Sequence, residues 1–364
     1  MENKRIKKKN NIKFKHIFLA IIVIIIVFIV YKYQNTINTI LSPHSLITTQ
    51  SKNVTATSYK INGTLFFLKG GNLWSINGNK TSKITSLNNM SDLAISKNQK
   101  TVEYTVVHTN YSNLHQMNIN GTHDTRITNW INPHIGNEVW SATPTFSPNG
   151  AYIAYLSNLR KIFTGIPRAS LGIWMINANQ VYPYYYGEKE LTIPTKYTGG
   201  DAGVTWPNQN FLLYTQYIYT TNIVQPDSQI MLYDFSNNTS YPVTPVSSEA
   251  MEPRLSPNGQ YLAFVERKHN NDSYLYIMKF DLAQILTNTQ SSNFPNYKNT
   301  LKLVNIGINA HPTWSPNNKS IAFINLVGNS FDIAIKNIKN NKFGKIHYLT
   351  QNSNIDSTSK MFWF

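Results

Sequence analysis

Beyond about residue 60 the chain consists of short apolar runs separated by polar breaks rich in Asn, Gly and Ser. Two of the runs, Tyr-Ile-Ala-Tyr-Leu at 152–156 and Tyr-Leu-Ala-Phe-Val at 261–265, have no polar interruption. That is the pattern of a strand covered on both faces, not of one alternating between core and solvent. Each run follows Ser-Pro-Asn-Gly, at 147–150 and 256–259. Proline presets φ at the first central position of a turn, Asn tolerates bridge or left-handed geometry, and Gly supplies φ > 0, so each segment predicts strand, tight turn, strand.

The unit recurs. PTFSPNGAYIAYLS at 144–157, PRLSPNGQYLAFVE at 253–266 and PTWSPNNKSIAFIN at 312–325 are close copies, and GVTWPNQNFLLYTQ at 203–216 and LAISKNQKTVEYTV at 93–106 are worn ones. Aligned on the turn, they place Ser96, Ser147, Trp206, Ser256 and Ser315 in one column, at steps of roughly 50 to 60 residues. A sixth start is INGTLFFL at 61–68, with Asn62 and Gly63 on the Asn-Gly column. Each start is followed by a second pair of strand-like runs, as in NLWSINGNKTSKIT at 72–85 and QIMLYDFSNNTSYPVT at 229–244, and four of these pairs close on Ile-Thr, Val-Thr or Leu-Thr. Four strands per repeat and six repeats predict an all-β fold, a six-bladed β-propeller of four-stranded antiparallel blades over 59–364. Two segments compete for the inner strand of the first blade: the C-terminal Met-Phe-Trp-Phe, which aligns with Pro-Thr-Phe-Ser, and Thr57–Lys60. A frayed tail seldom ends in Phe-Trp-Phe, which favours the docked tail.

The succession of Ser, Pro, Asn or Asp and Gly, then an aliphatic-Ala-aromatic triplet, then a strand ending in Leu-Thr, resembles the repeat of the TolB-like propellers, whose usual form has Asp where Asn149 and Asn258 stand here. The resemblance spans roughly residues 55–364 and implies six blades. For function it implies only the uses known for that repeat: binding scaffolds, propeller domains attached to peptidases, and some polysaccharide lyases. TolB itself has a folded α/β domain ahead of its propeller and is released to the periplasm, and the residues ahead of the repeats here read differently.

Residues 1–15 hold seven Lys or Arg against one Glu and read as a basic cytoplasmic tail. Ile17–Tyr31 is an uninterrupted apolar run, between a signal-peptide core and a full membrane span in length. No small-x-small cleavage site follows it, and Tyr31, Lys32 and Tyr33 are placed to sit at an interface. Both features favour a retained transmembrane helix over 16–33 against a cleaved signal, and the positive-inside rule then puts the propeller on the extracytoplasmic side of the cell membrane. Residues 34–58 are polar, short of charge and without helical period, and read as a tether. Of the formal net charge of +16, the first fifteen residues carry +6, which leaves +10 beyond them. That excess favours anionic neighbours such as wall polymers or lipid head groups, the bland alternative being a solvated surface with no single partner. Scattered Lys and Arg argue against nucleic acid. The chain has no Cys, hence no disulfide framework and no lipoprotein-type lipidation site.

In a propeller the loops leading from one blade's outer strand to the next blade's inner strand gather at one mouth of the channel, together with each blade's second-to-third-strand loops. The longest of the former, 129–143, carries Trp130, His134, Glu138 and Trp140; others bring Asp201, Glu252 and His311, and the loop at 158–172 brings Arg160 and Arg168. Aromatic platforms beside both signs of charge suit a peptide or a glycan. The competing reading for Trp130 and Trp140 is that they fill gaps between blades two and three. His134 and Glu138 stand at i and i+4, but on a loop with one His, so no metal site is predicted. VYPYYYG at 181–187 reads as blade surface, with sugar stacking the minor option. There is no Gly-x-Ser-x-Gly elbow, no His-Glu-x-x-His and no glycine-rich phosphate loop, so no catalytic residue and no cofactor is assigned. The sequence predicts a non-enzymatic binding scaffold for an envelope protein or peptide. The alternative, kept open by His134, Glu138 and His311, is a carbohydrate-binding or lyase-type propeller acting on anionic glycans.

Overall fold

The computed structural model describes residues 59–364 except 131–137, 160–169, 179, 181–188, 195–197, 220–225, 269–271, 289–293, 295–296 and 340–341. The basic tail, transmembrane helix and tether expected over 1–58 therefore lie outside the described residues, as does the 181–187 aromatic run; among the described residues no helix is long and apolar enough to cross a membrane.

Six four-stranded antiparallel sheets follow one another along the chain. Five are continuous in sequence and run from an inner to an outer strand. The first blade is composite: Phe362–Trp363 forms its inner strand, pairing with Leu65 and Phe66 of Thr64–Lys69, and Asn72–Asn77 and Lys80–Lys83 complete it. The docked tail thus closes the ring, and Tyr59 and Lys60 take no part in that strand. The apolar core is divided among six wedges, each filled from two neighbouring blades, with Phe67 and Trp74 of blade one meeting Ile324 and Ile335 of blade six at the closure. This explains the uninterrupted second strands. In blade five Phe264 packs toward blade four while Ala263 and Val265 pack toward blade six, so both faces of the strand are covered.

The repeated motif residues act on the backbone. In four blades the turn serine, Ser96, Ser147, Ser256 or Ser315, accepts the N–H five residues on at 2.8–2.9 Å and donates to the Asn two residues on at 2.7–2.8 Å. That Asn in turn accepts the N–H two residues beyond it, which is why a short side-chain acceptor is needed there. The closing threonines act on the backbone in the same manner, for Oγ1 of Thr85, Thr128, Thr192, Thr244 and Thr350 accepts a backbone N–H from the third strand at 2.8–2.9 Å. Side-chain oxygens thus satisfy buried donors where the outer strand has ended.

Two features depart from the sequence alignment. In blade four Thr205 pairs with Leu213 as Thr145 pairs with Ala154, so its turn is one residue shorter, Trp206 occupies the buried place of Phe146 and Trp314, and the serine column is empty there. Blade five has a helical insertion between its third and fourth strands, with Leu282–Thr287 capped by Asp281 and a short Tyr297–Thr300 turn of helix. Phe280, Ile285, Tyr297 and Leu301 of this stretch lie over the wedge between blades four and five.

Candidate functional site

The inner strands line the central channel, and those of blades two to six carry the same irregularity. The ladder to the second strand slips at Ser91/Leu93, Ala142/Thr145, Ala202/Thr205, Met251/Arg254 and Ala310/Thr313. At each slip one residue has positive φ: Asp92, Thr143, Gly203, Glu252 and His311, between 47° and 58°. A bulge of this kind re-aims a side chain, and non-glycine residues hold such a conformation only where their surroundings enforce it. Here the enforcement passes from blade to blade. The Thr143 N–H donates to Asp92 Oδ2 at 3.2 Å, the Glu252 N–H to Thr215 Oγ1 at 3.1 Å, and the His311 N–H to Glu252 Oε2 at 2.5 Å. His311 Nδ1 lies 3.5 Å from the same carboxylate.

The first blade contributes a cation at the equivalent level. Lys360, just ahead of the closing strand, donates to the carbonyls of Pro144 at 2.5 Å and Val204 at 3.2 Å and approaches that of Thr143 at 3.5 Å. Its side chain therefore spans from blade one to blades three and four. Arg254 of blade five stands 5.2 Å over the Phe362 ring of blade one, and its Nη2 has no hydrogen-bond partner among the described residues. Burial dominates the electrostatics. It pulls Lys360 down to about 7, with the charge of Arg254 adding to the effect and Asp92 opposing it, and it lowers Arg254 to about 10. It raises Asp92 and lowers His311. The channel thus holds two acids, two bases and one imidazole, most of them bound to backbone or to one another.

The sequence-predicted residues divide accordingly. Glu252 and His311 are brought together, on inner strands Ala250–Leu255 and Asn309–Trp314 instead of on loops. Asp201 lies in the strand Thr198–Asn208, is buried, and accepts the Thr192 hydroxyl; burial pushes its carboxyl up to about 7. Trp130 is a gap filler between blades two and three, packed with Val139 and Leu159 and donating from Nε1 to Ser141 Oγ at 3.1 Å. Trp140 is half-buried and its N–H donates to Asn158 Oδ1; the Glu138 carbonyl accepts from the Asn158 amide. His134, Arg160 and Arg168 lie outside the described residues. Among the described residues no group of three or more His, Cys, Asp or Glu is arranged to hold a metal.

Asp92, Arg254 and Lys360 were not singled out from sequence. The first two had a usable signal, since Asp92, Thr143, Glu252 and His311 share one offset from the turn serine, and Arg254 sits where the other complete copies have Thr. Lys360 had none, because nothing in its neighbourhood marks it as reaching across a ring.

Five of the eight large apolar side chains that are exposed among the described residues, Leu87, Val107, Ile193, Ile306 and Val327, follow a strand's mouth-side end or close it. They stand on the mouth face.

Compared by sequence, the chain matches no protein-family model and no curated protein. Compared by structure, it is similar to TolB from Acinetobacter baumannii, with a TM-score of 0.56 at 16% identity, over 82% of this chain and 67% of that one. It is similar also to a protein assigned as TolB from Agrobacterium tumefaciens, with a TM-score of 0.53 at 11% identity, over 85% and 99% of the two chains. A chain of a nidogen–laminin complex aligns with a TM-score of 0.51 at 10% identity, over 82% and 97%. At these identities the likeness is one of fold.

Proposed function

We propose that this TolB-like six-bladed propeller is a membrane-anchored, extracytoplasmic scaffold that binds another envelope protein at the mouth of its channel without catalysing a reaction on it. The observation that carries this reading is the gathering of exposed apolar side chains on the mouth face. Single exposed Leu or Val residues are ordinary, but a set concentrated on one face is what a protein partner covers. The charged groups beneath support the same reading. The Glu252 carboxylate is held by the His311 N–H, and Lys360 by carbonyls of two other blades, so they are committed to the ring before any ligand arrives.

The second reading is favoured by one arrangement, the Glu252–His311 pair in a channel that also holds Arg254 and Lys360. An acid, an imidazole and two cations are the groups that an anionic glycan and a proton abstraction from it require.

One experiment separates the two. A photo-crosslinking amino acid is placed at Ile306, at Val107, and at Lys319 on the opposite face as control, in cells producing the full chain. The scaffold reading expects discrete crosslinked proteins from Ile306 and Val107 and none from Lys319. No crosslinks from either mouth position, together with cleavage of a polyuronate by the purified chain that is lost in His311→Gln, would transfer the conclusion to the glycan reading. Replacing the whole 129–143 loop is a poor probe, because Trp130 and Val139 belong to the core.

A further inference from the structure

Lysines that are far apart in sequence are collected on the face opposite the mouth. Every blade's first-to-second and third-to-fourth strand turns lie on that face, and Lys319, Lys339 and Lys342 of blade six, Lys80 of blade one, and Lys97 and Lys100 of blade two occupy or flank these turns. All six are exposed, and none has an ion-pair or hydrogen-bond partner for its ammonium group among the described residues. Blades six, one and two are contiguous around the ring, because the composite first blade joins the two ends. On their turn face the one described acid is Asp124, which is engaged 3.3 Å from His115 Nδ1. The turns of blade four have no lysine. Elsewhere on this face Asp234 stands in blade four, and Asp281 accompanies Lys279 and Lys302 in blade five. Toward the mouth Glu249 pairs with Arg267, Glu266 with Lys268, and Asp356 accepts the Gly70 and Gly71 N–H groups.

The chain enters the propeller at the middle of this basic sector. Ile61 donates its N–H to Gly78 in the third-to-fourth-strand turn of blade one, and Lys60, also exposed, precedes it. The 58 residues ahead of this point include the apolar run Ile17–Tyr31, and fewer than thirty residues separate that run from Tyr59.

We propose that the turn face of blades six, one and two is an electrostatic docking surface for the anionic head groups of the membrane from which the chain emerges, so that the propeller lies turn face down and presents its mouth outward. The proposal rests on the reading of residues 16–33 as a retained anchor. The anchor confines the domain near the bilayer, and unpaired lysines facing anionic lipid each strengthen adsorption about five-fold at physiological salt. The effect decays within a Debye length of about 8 Å, so only a face in near-contact with the surface benefits. Wall polymers offer the same charge, but they do not share the geometric coincidence that the basic sector surrounds the point of chain entry.

The test uses the full chain in nanodiscs of phosphatidylcholine alone or of phosphatidylcholine with phosphatidylglycerol, with lysine acetylation read residue by residue. The expected result is a several-fold slower modification of Lys97, Lys100, Lys319 and Lys342 on the anionic discs, reversed by high salt, with Lys83, exposed at the mouth-side end of blade one's outer strand, unchanged. The combined K97Q, K100Q, K319Q and K342Q variant should relieve protection at Lys80 and Lys339. Equal rates on the two bilayers, or protection spread evenly around the ring, would overturn the proposal. Protection of the same lysines by soluble polyglycerol phosphate on neutral discs, with none from phosphatidylglycerol, would overturn it in favour of a wall polymer. If the chain fails to insert into neutral discs, the anchor reading fails by itself. Flotation with phosphatidylglycerol vesicles then decides the surface: retention at least about a hundred-fold above that of the four-lysine variant supports it, and equal retention overturns it.

Discussion

Single residues here do two kinds of work. The turn serines and closing threonines satisfy backbone donors, and their value lies in leaving no buried N–H unpaired. Asp201 is a different case, a carboxyl buried with one hydroxyl donor and no cation beside it among the described residues. With its folded pKa raised to about 7 by burial, the folded state holds a proton that the unfolded chain gives up near pH 4. Its contribution is fully favourable below about pH 4 and is lost as pH rises through 7, by about 1.4 kcal/mol per pH unit and on the order of 4 kcal/mol in all. Asp201→Asn keeps an acceptor for Thr192 and removes the titration. Unfolding midpoints of the variant should therefore exceed those of the parent increasingly from pH 5 to about 7. Parallel pH profiles would refute this, even though Glu103, raised in the same direction by burial, titrates in both proteins.

The closing strand is an element of only two paired residues, and it holds because its neighbours leave no slack. The Thr64 N–H donates to the Phe364 carbonyl at 2.8 Å, the Phe364 N–H donates back at 3.0 Å, and Trp363 Nε1 donates to the Asn62 carbonyl at 2.7 Å. Gly63 is what permits the approach: its φ is +83°, and a Cβ there would fall 1.9 Å from the Phe364 carbonyl oxygen. Gly150 also has positive φ, +72°, but a Cβ there meets nothing within 4 Å. Gly150→Ala should therefore cost about 1 kcal/mol, the left-handed penalty alone. Gly63→Ala should cost more than about 2 kcal/mol, because the clasp must also shift. Denaturant midpoints of the two variants side by side test the difference, and equal losses would mean that the clasp yields freely.

At the scale of the whole molecule, a ring of six wedges can open at any interface, and contacts across the axis oppose this in a way that neighbour contacts do not. Lys360 makes such contacts, joining blade one to blades three and four. Burying an ammonium is expensive, and burial lowers its pKa to about 7, so the group gives up part of its charge near neutrality while its N–H groups still donate to the Pro144 and Val204 carbonyls. Lys360→Met leaves those carbonyls without a donor, and a loss of about 2–4 kcal/mol is expected by thermal or denaturant unfolding. Unchanged or raised stability would show that an apolar plug serves the channel equally well, as replacement of buried charge sometimes does.

The repeat, the strand count, the turn chemistry and the docking of Phe-Trp-Phe were legible in the sequence, because each is fixed by residues close in the chain and copied several times. Even the slip at Trp206 was an error of one place within a blade correctly assigned. The charged belt was half legible: Glu252 and His311 were found, but as loop residues, since the bulge that turns them inward depends on donors from neighbouring blades. Lys360 and Arg254 gain their meaning only from the axis of the ring. The basic sector is the same lesson on a larger scale. Lysines that look scattered along the chain share one face because turns recur once per strand pair, and three of the blades become contiguous only when the last strand pairs with the first. Local chemistry made the blades; closure decided which residues meet, because proximity across a ring is not encoded in sequence separation.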